Sequence, residues 1–204
     1  MELVAPLLKG ALIGLAVAAP VGPIGMLCIQ RALAGGMLVG FASGLGAAAA
    51  DAFYGAVAAL GIGAVMRTLE AHANAIRIVG GLLLLLLALQ TFRRSGEAPS
   101  AAAAPGAGGI ATAFASVAIL TLANPATILS FLAIFASVGD VAARHPLALV
   151  AGVFLGSAAW WLFLASVTAS LRTRVTPGIR RMIDVASAIC LAGFGILALV
   201  SALR

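Results

Sequence analysis

The chain has 204 residues, of which 63% are hydrophobic and 9% are charged, and its mean hydropathy is +1.19. A soluble domain carries about 25% charged residues, so 12 basic and 6 acidic residues cannot supply the exterior that a water-soluble protein or oligomer needs. The net charge of +6 comes from basic residues scattered at the ends of apolar runs, which is typical of membrane loops and not of nucleic-acid binding. The composition therefore predicts an integral membrane protein.

Six apolar segments follow one another along the chain, each near or above the ~20 residues that a helix needs to cross the hydrocarbon core. Their continuous apolar runs favour helices over the alternating strands of a membrane barrel. A stretch rich in Ala, Gly, Pro and Ser at 93–109 predicts a flexible linker between the third and fourth segments. The predicted spans are 3–29, 36–65, 76–92, 110–138, 147–169 and 183–203.

Proline-containing breaks interrupt the first and fourth segments, with the sequences PVGP at 20–23 and NP at 124–125. A proline inside a helix frees a carbonyl group, which lipid tolerates only where protein or a water-filled cavity satisfies the freed group. A half-helix that begins after the first break would offer free amides and a positive dipole end to a carboxylate. Carbonyls freed upstream would suit an ammonium group or a cation. The predicted substrate and ion pathway at the breaks comprises Pro20, Gly22, Pro23, Asn124 and Pro125.

The two breaks lie at corresponding places in two halves of the chain, 1–92 and 110–204. In each half a broken helix precedes a glycine-rich one, and aligning Gly46 with Gly156 places Asp51 opposite Trp161. Since each half has an odd number of spans, the halves are expected to be inverted in the membrane, as in many secondary transporters. The predicted fold is an all-α membrane protein of six helices in two inverted three-helix repeats, with helices 1 and 4 broken.

Asp51 is the one acidic residue deep within a predicted span. On a helix it shares a face of small residues with Gly44, Ala47, Ala48 and Gly55, at spacings of three and four. A charge at mid-membrane costs at least ~2.5–3.5 kcal/mol and normally faces the bundle interior. Asp51 therefore joins the predicted pathway, where it exchanges a proton in each cycle or holds a substrate's ammonium group. A structural carboxylate that caps a half-helix is the alternative.

The remaining distinctive residues are interpreted as structural. Trp160 and Trp161 lie in the middle of the fifth span, where one of them could line a pathway and its indole N–H would need a partner. Packing is the favoured interpretation of both. Cys28 and Cys190 are interpreted as small buried hydrophobes. The sequence contains no nucleophile–base pair, no metal-ligand spacing and no nucleotide motif. We therefore expect a protein that is not an enzyme, has no cofactor or metal ion, and draws on an ion gradient.

The motifs together resemble the lysine-exporter (LysE/RhtB) family of amino-acid efflux transporters. The sequence GLAVAAPVGPI at 14–24 is similar to the family's early proline-glycine-proline motif. The glycine-led segment 36–61 carries the intramembrane Asp51, and 114–131 holds a similar Asn-Pro motif. The resemblance implies secondary export of amino acids or related metabolites, coupled to protons or cations. It also implies alternating access around a midplane site between the breaks.

The resemblance also implies the partners and the location. The partners are an amino acid or analogue, a coupling proton or cation and the lipid bilayer, with no nucleic acid; a homodimer is compatible with the sequence. The location is the bacterial inner membrane. Seven basic residues in loops opposite the termini, against five on the terminal face, predict periplasmic termini. The seven are Arg31, Arg93, Arg94, Arg172, Arg174, Arg180 and Arg181, and the five are Lys9, Arg67, Arg77, Arg144 and Arg204.

Three other functions stay open at this point. A cation or metal transporter of a related fold would use Asp51 and the break carbonyls as ligands, although a divalent ion prefers six or more oxygens. A six-span thiol-electron carrier would need Cys28 and Cys190 to approach each other. A purely structural membrane subunit predicts that the substitution Asp51→Asn has no effect.

Overall fold

The computed structural model describes residues 3–20, 22–60, 71–94, 107–124, 127, 130–131, 144–172 and 174–203. Helices account for most of these ranges, which contain no β-strand, so the all-helical prediction is confirmed for this part of the chain. In chain order the helices are α1 Val4–Ala18, α2 Pro23–Gly35, α3 Met37–Ala59, α4 Ala73–Arg94, α5 Ala107–Leu122, α6 Pro146–Leu171 and α7 Pro177–Ala202.

Four of these helices, α3, α4, α6 and α7, are long and apolar enough to cross a membrane. The pair α1 and α2 passes the same test as one bent span, which gives up to five candidate spans within the described residues. The predicted span 110–138 begins with the shorter apolar helix α5. Most of its remainder, and residues 95–106 of the predicted linker, lie outside the described residues. A multi-pass helical membrane protein therefore agrees with the prediction.

The first break separates α1 from α2 by a bend of 84°. Helix α2 begins at Pro23, where the missing amide loses no intrahelical bond, and the preceding Gly22 is extended at φ −105°. The amide of Met26 then donates to the Gly22 carbonyl at 3.0 Å. The predicted span 3–29 is thus two helices, and the second continues to Gly35.

The helices α3 and α6 pack against each other, and each also packs against one helix that precedes a break. Helix α1 lies along α6, α5 lies along α3, and α4 pairs with α7. A Cβ atom added at Gly156 would lie 1.9 Å from the Ala11 carbonyl oxygen, and one at Gly46 would lie 2.2 Å from the Phe114 carbonyl oxygen. Only glycine permits this backbone approach, which is a common basis of helix association in membranes.

Arg31 lies inside α2 and is half-buried, so its assignment to a loop is wrong. Its guanidinium donates to Ser43 Oγ at 3.1 Å, to the Ala113 carbonyl at 2.9 Å and to Ser116 Oγ at 2.9 Å. These acceptors stabilise a cation within the bundle. Arg31 therefore links α2 to both α3 and α5.

The neighbouring Gln30 links α2 to the other pair of helices. Its Nε2 donates to Asp184 Oδ1 on α7 at 3.0 Å, and the Thr91 hydroxyl on α4 donates to its Oε1 at 3.3 Å. A single residue, Gly36, joins α2 to α3 with a positive φ of 86°, a conformation that favours glycine. These contacts fix the position of α2 after the bend.

Candidate functional site

A cavity of about 90 Å³ lies where the two breaks approach each other. Its volume is sufficient for several water molecules. Five of the six residues predicted for the pathway line it: Pro20, Gly22, Pro23, Asp51 and Asn124. The sixth, Pro125, lies outside the described residues. The folded chain thus brings together groups that are about a hundred residues apart in sequence.

Asp51 is held in the wall of this cavity by α3 and is only 3% exposed. Its Oδ2 accepts a hydrogen bond of 2.7 Å from the hydroxyl of Ser157, a fully buried residue of α6. The predicted face of small residues faces α6, since a Cβ atom at Gly44 would lie 2.3 Å from the Cβ of Trp161. This close approach is what lets the short Ser157 side chain reach the carboxylate.

Ser157 was missed in the sequence analysis, although a signal for it existed. The alignment of the two halves places Trp161 opposite Asp51, and Ser157 lies one helical turn before Trp161. If the two helices meet at equivalent positions, a polar residue one turn from the position equivalent to a buried acid is a candidate partner for that acid. Neighbouring turns of α6 thus carry the two residues that face Asp51 and the cavity.

The start of α2 forms another part of the wall. Ile24 and Gly25 line the cavity directly after Pro23, and the N-cap residue Gly22 has no side chain to cap the helix. The first amides of a helix have no intrahelical partner, and the helix dipole adds a partial positive charge at this end. The first break therefore presents a weakly positive end to the cavity, as the sequence predicts.

The second break leaves α5 through a turn that keeps Asn124 at the cavity. The Asn124 amide donates to the Thr121 carbonyl at 3.1 Å, and the Thr127 amide donates to the Asn124 carbonyl at 3.1 Å. The hydroxyl of Tyr54, on α3 one turn after Asp51, donates to the Leu122 carbonyl at the end of α5. This tyrosine, which was not predicted from the sequence, links the helix of the acid to the second break.

Trp161 both packs and lines the cavity, so the packing interpretation describes only part of its environment. The side chain is 4% exposed and belongs to a buried cluster with Ala47 and Val117. Its Nε1 has no hydrogen-bond partner among the described residues. The adjacent Trp160 is half-buried and packs against Phe163, with ring centroids 5.7 Å apart.

The described residues that line the cavity combine one carboxylate with neutral hydrogen-bond donors. Asp51 is the one charged side chain among the described residues that line the cavity. The indole of Trp161 and the start of α2 add donors without a full positive charge. Apolar groups such as Val17 and Ala47 complete the wall. Such a cavity can hold a cation, or a zwitterion whose ammonium group lies at Asp51.

Comparison with known proteins identifies the family of this chain. The family model of the LysE type translocator matches residues 15–202. The chain is also 33% identical over 174 residues to the "Uncharacterized membrane protein YahN" of Escherichia coli (strain K12), which covers 84% of this chain and 77% of that protein. No solved structure matches the chain. The chain belongs to the LysE type translocator family, so the family resemblance seen in the sequence is confirmed.

Proposed function

We propose that this LysE type translocator is a secondary exporter of amino acids or related small metabolites across the bacterial inner membrane. The observation that carries the proposal is the cavity, where both helix breaks and the buried Asp51 carboxylate meet. Transporters of this general kind bind substrate near the midplane, between discontinuous helices. A chain whose purpose is only structural has no evident need for a carboxylate beside a polar cavity in the membrane.

The proposed substrate is a zwitterion. In this account Asp51 holds the ammonium group, and the amides at the start of α2 face the carboxylate. Two groups of opposite character in one small cavity support an amino acid over a simple cation. The coupling proton or cation would use Asp51 in the phase of the cycle when no ammonium group occupies it.

The proposed architecture is the inverted repeat, with the two halves rocking around the cavity in alternating access. The helix pairings support it, because α1 packs on α6 as α5 packs on α3. The glycines aligned in the sequence analysis support it as well: Gly156 approaches the backbone of α1, and Gly46 approaches that of α5.

The proposed orientation keeps the termini in the periplasm. With Arg31 assigned to the bundle, six arginines remain in the loops or near the helix ends opposite the termini, against the five basic residues assigned to the terminal face. This balance still favours a cytoplasmic position for those loops. The lipid bilayer is the partner that the composition requires, and the homodimer remains a prediction from the sequence.

The test is transport by the purified protein in liposomes. Labelled alanine, threonine, leucine, lysine and glutamate would be offered one at a time, with and without a pH or sodium gradient, and Mn²⁺ in a separate series. We expect uptake of at least one amino acid above that of protein-free liposomes, accelerated by one of the gradients. Transport of Mn²⁺ without any amino acid would support the cation transporter instead, and no movement of any solute would contradict export.

A further inference from the structure

The indole N–H of Trp161 is a buried donor with no acceptor among the described residues. Trp161 is 4% exposed, and its Nε1 has no hydrogen-bond partner within the part of the chain that the structure describes. Buried polar atoms nearly always have a partner, so an exception needs a physical explanation. A buried tryptophan in particular usually places its N–H against an acceptor. Here the same side chain lines the cavity.

The other described polar side chains in the wall of the cavity do not accept from this indole. The Oδ2 of Asp51 already accepts from Ser157, one turn earlier on α6. The Thr121 hydroxyl, also in the wall, donates to the Val117 carbonyl at 2.9 Å and accepts nothing from the indole. The indole N–H donates to neither of these side chains, so it is a free donor that a molecule entering the cavity can use.

We infer, on the basis of the proposed export function, that Trp161 Nε1 is a substrate-binding donor that hydrogen-bonds the carboxylate of the transported amino acid. The start of α2 supplies the other donors to that carboxylate, and Asp51 binds the ammonium group at the opposite end of the molecule. Asp51, Trp161 and the start of α2 line the same cavity. Together they can bind both ends of a zwitterion.

A neutral donor suits this position better than a cation would. An arginine beside Asp51 would form an ion pair with it, and the substrate would have to break that pair in order to bind. An indole cannot neutralise the carboxylate, so Asp51 stays available to an ammonium group. The indole also provides selectivity, because a ligand without a carboxylate leaves the buried N–H unpaired.

The experiment uses the fact that the chain contains two tryptophans. Trp160→Phe leaves Trp161 as the one indole of the protein, and Trp161→Phe keeps an aromatic ring in place while removing its N–H. Each variant would be tested for binding of the amino acid that the wild type transports fastest and of the primary amine that lacks its carboxylate. The Trp160→Phe protein would also be labelled with ¹⁵N at the indole for NMR.

Trp161→Phe should weaken binding of the amino acid roughly tenfold to a hundredfold, as expected for a hydrogen bond to a charged group. Binding of the amine should change little, so the preference for the amino acid should shrink by the same factor. Trp160→Phe should bind both ligands like the wild type. In that protein the indole ¹H signal should shift on addition of the amino acid and not on addition of the amine.

The outcomes separate this inference from the proposed function. If the wild type transports an amino acid but Trp161→Phe keeps the full preference for it over the amine, the role of Trp161 is wrong and export stands. If the wild type transports no amino acid, both proposals fail together. Should Trp161→Phe not fold, the indole signal of Trp160→Phe decides, because an unchanged signal at saturating amino acid would overturn the inference.

Discussion

Helices α3 and α6 have similar surroundings but bring different chemistry to the cavity. Each uses glycine for close contacts, each packs against the other, and each also packs against a helix that precedes a break. Yet α3 contributes the carboxylate of Asp51, and α6 contributes the indole of Trp161. The comparison shows that small residues can keep two helix environments alike while one side chain in each sets the chemistry.

The two breaks also bring different chemistry to the cavity. The first contains two prolines and a glycine and turns the chain by 84° into α2, whose N-terminal end reaches the cavity. The second carries Asn124 in a turn, and the Tyr54 hydroxyl holds the carbonyl at the end of α5. One break offers amide donors, and the other adds a polar side chain.

The largest expected effect comes from removing the charge on α3. Asp51→Asn keeps the size of the side chain but removes the charge proposed to pair with the ammonium group of the substrate. It should lower transport by roughly 100-fold or more, since removing one member of a buried charged pair costs about 3–5 kcal/mol. Initial rates in liposomes measure this. The matched control is Asp184→Asn on α7, whose carboxylate contacts Gln30 outside the cavity and whose rate should stay within roughly threefold of wild type. An Asp51→Asn protein of normal rate would show that the carboxylate takes no part in transport.

Removing the contact from α6 to the carboxylate should have a smaller effect. Ser157→Ala deletes the 2.7 Å hydrogen bond to Asp51 and should reduce transport roughly tenfold, because hydrogen bonds to charged groups contribute about 1.5–3 kcal/mol. Ser166→Ala, on the same helix, loses only a bond to the Leu162 carbonyl and should transport like wild type. Equal rates for the two variants would show that Ser157 does not orient the acid.

The close glycine contacts of α3 and α6 predict similar losses of stability when a glycine of either helix is replaced by alanine. Gly46→Ala and Gly156→Ala each force a Cβ atom against a backbone carbonyl and should each lower the free energy of unfolding by about 1–3 kcal/mol. Gly193→Ala on α7 meets nothing within 4 Å and should be neutral or slightly stabilising. Thermal or denaturant unfolding in detergent measures all three. A large loss of stability at one helix and none at the other would show that α3 and α6 are not packed alike.

The smallest expected effect concerns the tie between α3 and the second break. Tyr54→Phe keeps the ring, which packs against Phe131 with a centroid distance of 6.2 Å, and removes the hydroxyl that donates to Leu122. The free energy of unfolding should fall by about 1 kcal/mol, the usual contribution of a neutral hydrogen bond. A fall in the free energy of unfolding above about 3 kcal/mol would mean that the hydroxyl has a role beyond its hydrogen bond to the Leu122 carbonyl.

Much of the fold could be predicted because hydropathy alone locates long lipid-facing helices. Helices α4, α6 and α7 overlap their predicted spans, and both breaks were located from proline. The 84° bend could not be predicted, since PVGP specifies an interruption but the packing of α2 sets its direction. Arg31 was misplaced because a basic residue near the end of an apolar run looks interfacial, whereas its acceptors come from α3 and α5.

The candidate site was only partly predictable, for a related reason. Asp51 and the breaks stand out in the sequence because a charge or a proline is costly within an apolar span. Ser157 is an ordinary residue of an apolar helix and gains its interest only from the acid that it contacts. Trp161 stands out in the sequence by its position in the middle of a span, but the sequence alone favours packing, and only the structure shows that its Nε1 lies without a partner among the described residues.

The most direct test of the central claim is protection of the cavity by substrate. Ala47 lines the cavity, and Ser170 is exposed near the end of α6. Ala47→Cys and Ser170→Cys would each be made in a protein with Cys28 and Cys190 replaced by alanine, and alkylated by a small thiol reagent. An amino-acid substrate at ten times its Kd should slow alkylation at 47 roughly tenfold and leave 170 unchanged. Equal rates at 47 with and without substrate would contradict the claim that this cavity is the transport site.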